Sequence, residues 1–174
     1  FGFNYGDISQ LKKLVSEKNI GVIKMEVCRN TQPNVIFLKK VRKLATQNNI
    51  VLIFDECTSG FRQSFGGLHL SMNIFPDIVI YGKALGNGYA ITAVVGTDSV
   101  MENAKKSFMS STFWTERIGP TAALKTLEIM EKDKTWLVIT ELGKKLISIW
   151  KKISNRHNLK LKITGLPSLA KFTI

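Results

Sequence analysis

The stretch VLIFDECTSGFR, Val51 to Arg62, runs four apolar residues straight into two adjacent acids. From Ile50 to Phe54 both alternations are apolar, as in a parallel strand covered on both faces. A carboxylate at the tip of such a strand is carried on a rigid element. In layered α/β sheets ligands bind beyond the carboxyl ends of the strands, so Asp55 and Glu56 mark the first place to look for chemistry.

Working outward, Ile8, Leu11, Leu14 and Val15 recur at helical spacing over 7–18, after a capping-type Asp7. IGVIKME (20–26) reads as a short strand, and Pro33 and Asn34 then interrupt the chain. Val35, Leu38, Val41, Leu44 and Ala45 mark an amphipathic helix over 34–48. DIVIY (77–81) and YAITAVVG (89–96) read as strands; the second starts eight residues after the first ends. That gap is too short for a crossover helix, so the two are expected to pair antiparallel. Helices are expected over 98–107, 116–131 and 135–152, and LKLKITG (159–165) as a strand opening a second domain. The alternation of buried strands and helices predicts an α/β layered fold. Lys83 follows DIVIY inside GKALGNG, so this lysine and the strand-end acids Glu26, Asp55 and Glu56 point towards one crevice.

The 174 residues, 44% of them hydrophobic, suffice for one sizeable core, or one domain and the start of a second. The net charge of +12 comes from 25 Lys and Arg against 13 acids, and no acid follows Glu141. The two aromatic residues of that tail, Trp150 and Phe172, do not make the interleaved set a base-stacking platform requires, so the tail reads as a solvated Lys-rich face and no nucleic-acid partner is expected. No apolar run approaches the roughly 18 residues of a membrane span. Cys28 and Cys57 form no CxxC and His69 and His157 stand alone, which leaves no metal-ligand spacing. Two isolated thiols fit a reducing, cytoplasmic setting. The chain begins at Phe1 and stops at Ile174 just after an apolar segment, so it is expected to be a fragment of a longer protein, inactive and poorly folded as a lone polypeptide.

Two chemistries use a strand ending in Asp-Glu. In a nucleotide hydrolase or helicase the Walker B strand gives its Asp to the magnesium shell and its Glu to a water. A G-x-x-x-x-G-K-[ST] loop is absent, however; before the GK at 82–83, Asp77 stands where the first Gly belongs, and Ala84 follows where Ser or Thr belongs. The other chemistry is that of pyridoxal phosphate. This cofactor needs an amine for its aldehyde, a carboxylate to keep its ring nitrogen protonated, and donors for its phosphate. Asp55 suits the second task and Lys83, on a glycine-flanked loop, the first.

LIFDECTSGFR, PDIVIYGKALGNGYAITAVVG and SSTFWTERIGPTAALKTLE together resemble the class-III pyridoxal-phosphate aminotransferases, in particular the branch that includes glutamate-1-semialdehyde aminomutase. The interval of 28 residues from Asp55 to Lys83 fits that branch, and FGFNYGDISQLKKL resembles the segment that precedes it. The resemblance implies fold type I of the pyridoxal-phosphate transferases. Residues 1–134 would be part of the large domain, a mixed sheet with flanking helices, and 135–174 the connecting helix and the start of the small C-terminal domain. It implies Lys83 as the catalytic, cofactor-bearing lysine and Asp55 as the partner of the ring nitrogen. Cys57 would take the place of a Val packed on the ring; as a bare side chain it reads as a space-filler. Thr112 would reach the phosphate of the neighbouring subunit in a homodimer with shared active sites; as a bare hydroxyl it reads as a helix cap. Arg62 and Glu26 fall in family-like motifs and are equally readable as structural. The reaction implied is amino transfer between a small-molecule amino donor and a carbonyl acceptor, or an intramolecular amino shift.

Overall fold

The computed structural model describes residues 1–28, 32–113 and 115–174. Helix α1 (Ile8–Glu17) is capped by Asp7, whose side chain accepts the Gln10 N–H at 2.9 Å. Strand β1 (Val22–Glu26) follows, then helix α2 (Val35–Gln47), capped by Asn34 through the Phe37 N–H at 3.0 Å. Strand β2 (Val51–Asp55), the single turn α3 (Leu68–Ser71), strand β3 (Ile78–Tyr81) and strand β4 (Ala93–Gly96) complete a four-stranded sheet in the order β1-β2-β3-β4. β1, β2 and β3 are parallel and β4 is antiparallel to β3, as the short connection requires. A short helix α4 (Asp98–Met101) precedes the long helices α5 (Ile118–Asp133) and α6 (Thr135–Arg156). A separate antiparallel pair, β5 (Lys162–Thr164) and β6 (Lys171–Thr173), closes the order.

The parallel register sets Glu26 beside Asp55 and Asp55 beside Ile80, so the carboxyl ends of three strands come together. One sheet face packs Ile23, Met25, Leu52 and Phe54 against Leu11 of α1 and Phe37, Leu38 and Val41 of α2. Each such side chain, fully buried, contributes about 1.5–3 kcal/mol. On the other face Val22 and Val94 stay 53% exposed, so this chain covers only one side of strands that are apolar on both. Asp77 fixes where β3 begins: its backbone N–H donates to the Leu52 carbonyl, and its carboxylate accepts the Leu52 N–H at 2.7 Å and Arg42 at 2.8 Å.

Three elements depart from the sequence reading. The strand expected over 89–96 forms only from Ala93, because 86–89 is a turn: the Tyr89 N–H donates to the Gly86 carbonyl, and Asn87 and Gly88 sit at φ 47° and 103°. The helix expected over 98–107 breaks into α4 and a 3-10 turn at 104–106; the Asn103 side chain donates back to the Ser99 carbonyl, and none of its residues is buried. The helix expected to end near 152 runs on to Arg156 and closes through Ser154, whose hydroxyl donates to the Leu159 carbonyl at 2.7 Å. The C-terminal residues are tied to the main core: Leu166 is 1% exposed within it, and the Gln32 side chain donates to the Gly165 carbonyl at 2.8 Å.

Candidate active site

Asp55 ends β2 with its side chain 21% exposed at the carboxyl edge of the sheet. Its Oδ1 accepts the Cys57 N–H at 3.1 Å, and its Oδ2 lies 3.0 Å from the ammonium of Lys24 on β1. Burial alone would disfavour the charge, but the Lys24 ammonium and the Cys57 N–H outweigh it and hold the Asp55 carboxyl below its ordinary value. The acid is thereby kept ionised where a cationic ring could meet it.

Lys83 lies just past β3, exposed, opening a 3-10 turn at 83–85 with φ 47°. Its Nζ donates to Thr58 Oγ1 at 2.8 Å, so the loop after β2 aims the lysine that follows β3. Cys57 joins the two: its N–H orients Asp55, and its sulfur stands beside Gly82, where an added Cβ would come within 3.3 Å of it. Burial and the neighbouring Asp55 carboxylate push the Cys57 thiol up, which keeps it protonated and agrees with a space-filling role. An open cleft of about 1220 Å³ begins at Lys83 and runs between the 86–90 turn and α5 and α6, with Arg62, Arg117 and Lys125 on its walls.

Glu56 goes the other way. It is fully buried, and its two oxygens accept Ser59 Oγ, the Leu68 and His69 N–H groups, and His69 Nδ1 at 2.7 Å. Four partners fill the acceptor positions of a carboxylate. Glu56 therefore braces the 56–69 loop and has no capacity left to polarise a water at the strand tip, which removes the main support for a Walker B reading. Glu26 is in register with Asp55, and Arg62 gives its carbonyl to Thr140 Oγ1 at 3.2 Å.

The sequence-predicted residues Asp55, Cys57 and Lys83 thus converge, and Thr112 does not join them. Thr112 is exposed in a turn six residues before α5. It does not cap that helix; the Ile118 N–H goes to Glu116 Oε1 at 3.2 Å instead. Lys24 and Thr58 are contributors that the sequence reading missed. The signal for Lys24 was its place two residues before Glu26, on the strand beside β2; that for Thr58 was a hydroxyl inside the CTSGFR loop.

A carboxylate held ionised and a primary amine just past the adjacent strand end, linked by Cys57 packed beside Gly82, suit pyridoxal phosphate. Residues 30–169 match the family model described as Aminotransferase class-III. The 3-aminobutyryl-CoA aminotransferase of Cloacimonas acidaminovorans (strain Evry) is 35% identical over 96% of this chain and 42% of its own length. The glutamate-1-semialdehyde 2,1-aminomutase of Nitrosopumilus maritimus (strain SCM1) is 38% identical over 76% of this chain and 33% of its own. The FumI protein of Sphingopyxis sp. MTA144, solved in its PLP internal aldimine form, shares the fold with a TM-score of 0.93 at 24% identity, over 99% of this chain and 44% of that one. The chain spans less than half the length of these relatives.

Proposed function

The chain belongs to the class-III aminotransferase family, and from that premise we infer that it carries the amine and ring-nitrogen partners of a pyridoxal-phosphate site. The complete protein moves an amino group between an amine or amino acid and a carbonyl compound, or shifts it within one molecule. The observation that supports this most directly is the convergence of Asp55 and Lys83 through Cys57 and Thr58.

When bound, pyridoxal phosphate supplies an aldehyde for amine exchange and a ring that stores electrons released at the substrate Cα. Asp55 keeps a proton on the ring nitrogen; carried on β2, it needs no reorganisation to do so. Lys83 Nζ offers the amine, and in its neutral form it takes a proton from the substrate Cα and returns one. Thr58 Oγ1 holds Nζ in place for both tasks. Cys57 fills the floor between Asp55 and Gly82. Thr112 serves the phosphate in a second copy of the chain, so that the protein works as a homodimer with shared sites. We assign 1–134 to the large domain and 135–174 to the connecting helix and the start of the small one. The free thiols Cys28 and Cys57 accord with a cytoplasmic setting; among the described residues no helix is long and apolar enough to cross a membrane.

Borohydride reduction of the complete protein in the presence of pyridoxal phosphate, followed by peptide mapping, should leave a stable pyridoxyl group on Lys83. A label on another lysine, or on none, would overturn the assignment.

A further inference from the structure

Apart from Lys24 and Glu26, the sheet face that carries Asp55 is apolar. In register across the four strands it presents Val22, Lys24 and Glu26, then Val51, Ile53 and Asp55, then Ile78 and Ile80, then Val94. Lys24 is the one cation among these positions. Its side chain is 56% exposed on this uncovered face, so its apolar stem lies along the neighbouring Val and Ile while its charge stays free to act at the strand ends. Its stem crosses from β1 to β2 and brings Nζ to 3.0 Å from Asp55 Oδ2. The Cys57 N–H already holds Oδ1. Both oxygens of the acid are therefore engaged from within the chain, one by a dipole and one by a full charge.

We propose that Lys24 is a positioning residue of the site: its ammonium fixes the Asp55 carboxylate and limits the negative charge that Asp55 presents to a cationic ring. This rests on the reading of Asp55 as the ring-nitrogen partner. A carboxylate shared between an ammonium and a ring N–H holds the ring proton less tightly than one facing the ring alone, because like charges at short range disfavour each other. Lys24 thereby tempers the electron sink and neutralises Asp55 whenever the ring is away. The other titratable groups around Asp55 are Glu26, in register with it on β1, and Cys57 from the loop after β2; Lys83, after β3, reaches Cys57 and Thr58 of that same loop.

The test has two arms in the complete protein, each with Lys24→Met and with Lys24→Arg, which keeps the charge. In cofactor-free protein, carbon NMR of the Asp55 carboxyl should show its titration moving upwards in Lys24→Met and staying near wild type in Lys24→Arg. An unmoved Asp55 would overturn the pairing, whatever the cofactor. In protein loaded with ring-15N pyridoxal phosphate, the ring nitrogen should hold its proton to a pH about one unit higher in Lys24→Met, a tenfold change in proton affinity. A moved carboxyl with an unmoved ring would overturn the tempering role. Absence of a pyridoxyl label on Lys83 in wild type would instead defeat the cofactor reading and leave the first arm standing. If Lys24→Met does not fold, Lys24→Gln replaces it; failure of both would make Lys24 a stability residue and end the proposal.

Discussion

Asp55 and Glu56 are neighbours in sequence with opposite surroundings. The alternation of a strand end sends Asp55 to the open edge and Glu56 inward, where it gathers the loop that returns through Leu68 and His69. The placement of Asp55 and Lys83 at one sheet edge was legible because Asp55 ends one apolar strand and Lys83 lies just past the next. The bracing role of Glu56 was not, because its partners lie 12 and 13 residues away and meet it only after the loop folds. Lys24 was equally hidden, since a lone lysine in a strand reads as solvated. Burial opposes the charge on Glu56, but His69, Leu68 and Ser59 prevail and hold its carboxyl below the ordinary value. A depressed carboxyl contributes stability above the unfolded pKa and loses it as pH falls through the folded one. Glu56→Gln puts an NH2 group against donors, so it should destabilise the complete protein by about 2–4 kcal/mol at neutral pH. Below the usual carboxylate range the difference from wild type should shrink. Melting curves of both proteins across pH 7 to 3 check this; parallel curves would show that the charge of Glu56 is not what braces the loop.

At the scale of elements, the first three strands were legible because their apolar runs are bounded by turn residues, and α1 and α2 because their apolar stripes are periodic, the first after a capping-type Asp7 and the second after the break at Pro33 and Asn34. The misread boundaries have local causes: a turn at 86–89 shortens β4, and Asn103 ends a helix that had no stripe to bury. The packing of α6 was not legible at all. Gly143, buried on α6, faces the turn at 167–169, and a Cβ there would run into the Pro167 carbonyl and within 2.9 Å of the Ser168 N–H. Backbone on both sides leaves no flexible side chain to yield. Gly143→Ala should therefore push the C-terminal turn off α6, at a cost of about 1–3 kcal/mol for an overpacked contact. The expected readout is a lower melting temperature together with faster hydrogen exchange across 162–173. Pyridoxyl labelling of Lys83 should persist, because the sheet edge does not depend on this contact. A stability within about 0.5 kcal/mol of wild type would mean that the turn shifts freely and that Gly143 does not set its distance.

At the scale of the whole molecule, one face of a doubly apolar sheet is covered and the other carries the proposed site. Thr112 sits apart from it, exposed and not needed as a cap, since Glu116 serves α5. Its assignment to a partner's phosphate is a statement about two copies, and nothing in one chain's local sequence could reveal it without the family resemblance. It is best tested in trans. Lys83→Ala and Thr112→Val chains are each made as inactive homodimers, then mixed under conditions that exchange subunits. With shared sites, a mixed dimer builds one intact site from Lys83 of the second chain and Thr112 of the first, while its other site carries both changes. Random exchange at equal amounts makes half of the dimers mixed, so about a quarter of wild-type activity should return. If each site took Lys83 and Thr112 from the same chain, every site in every dimer would keep one defect. Mixing would then restore nothing, even with heterodimers demonstrated by mass. Thr112→Val should also lower cofactor affinity by about tenfold or more, as loss of a hydrogen bond to a charged phosphate does. An unchanged affinity together with no recovery would leave Thr112 a surface residue and the shared site without its proposed contact.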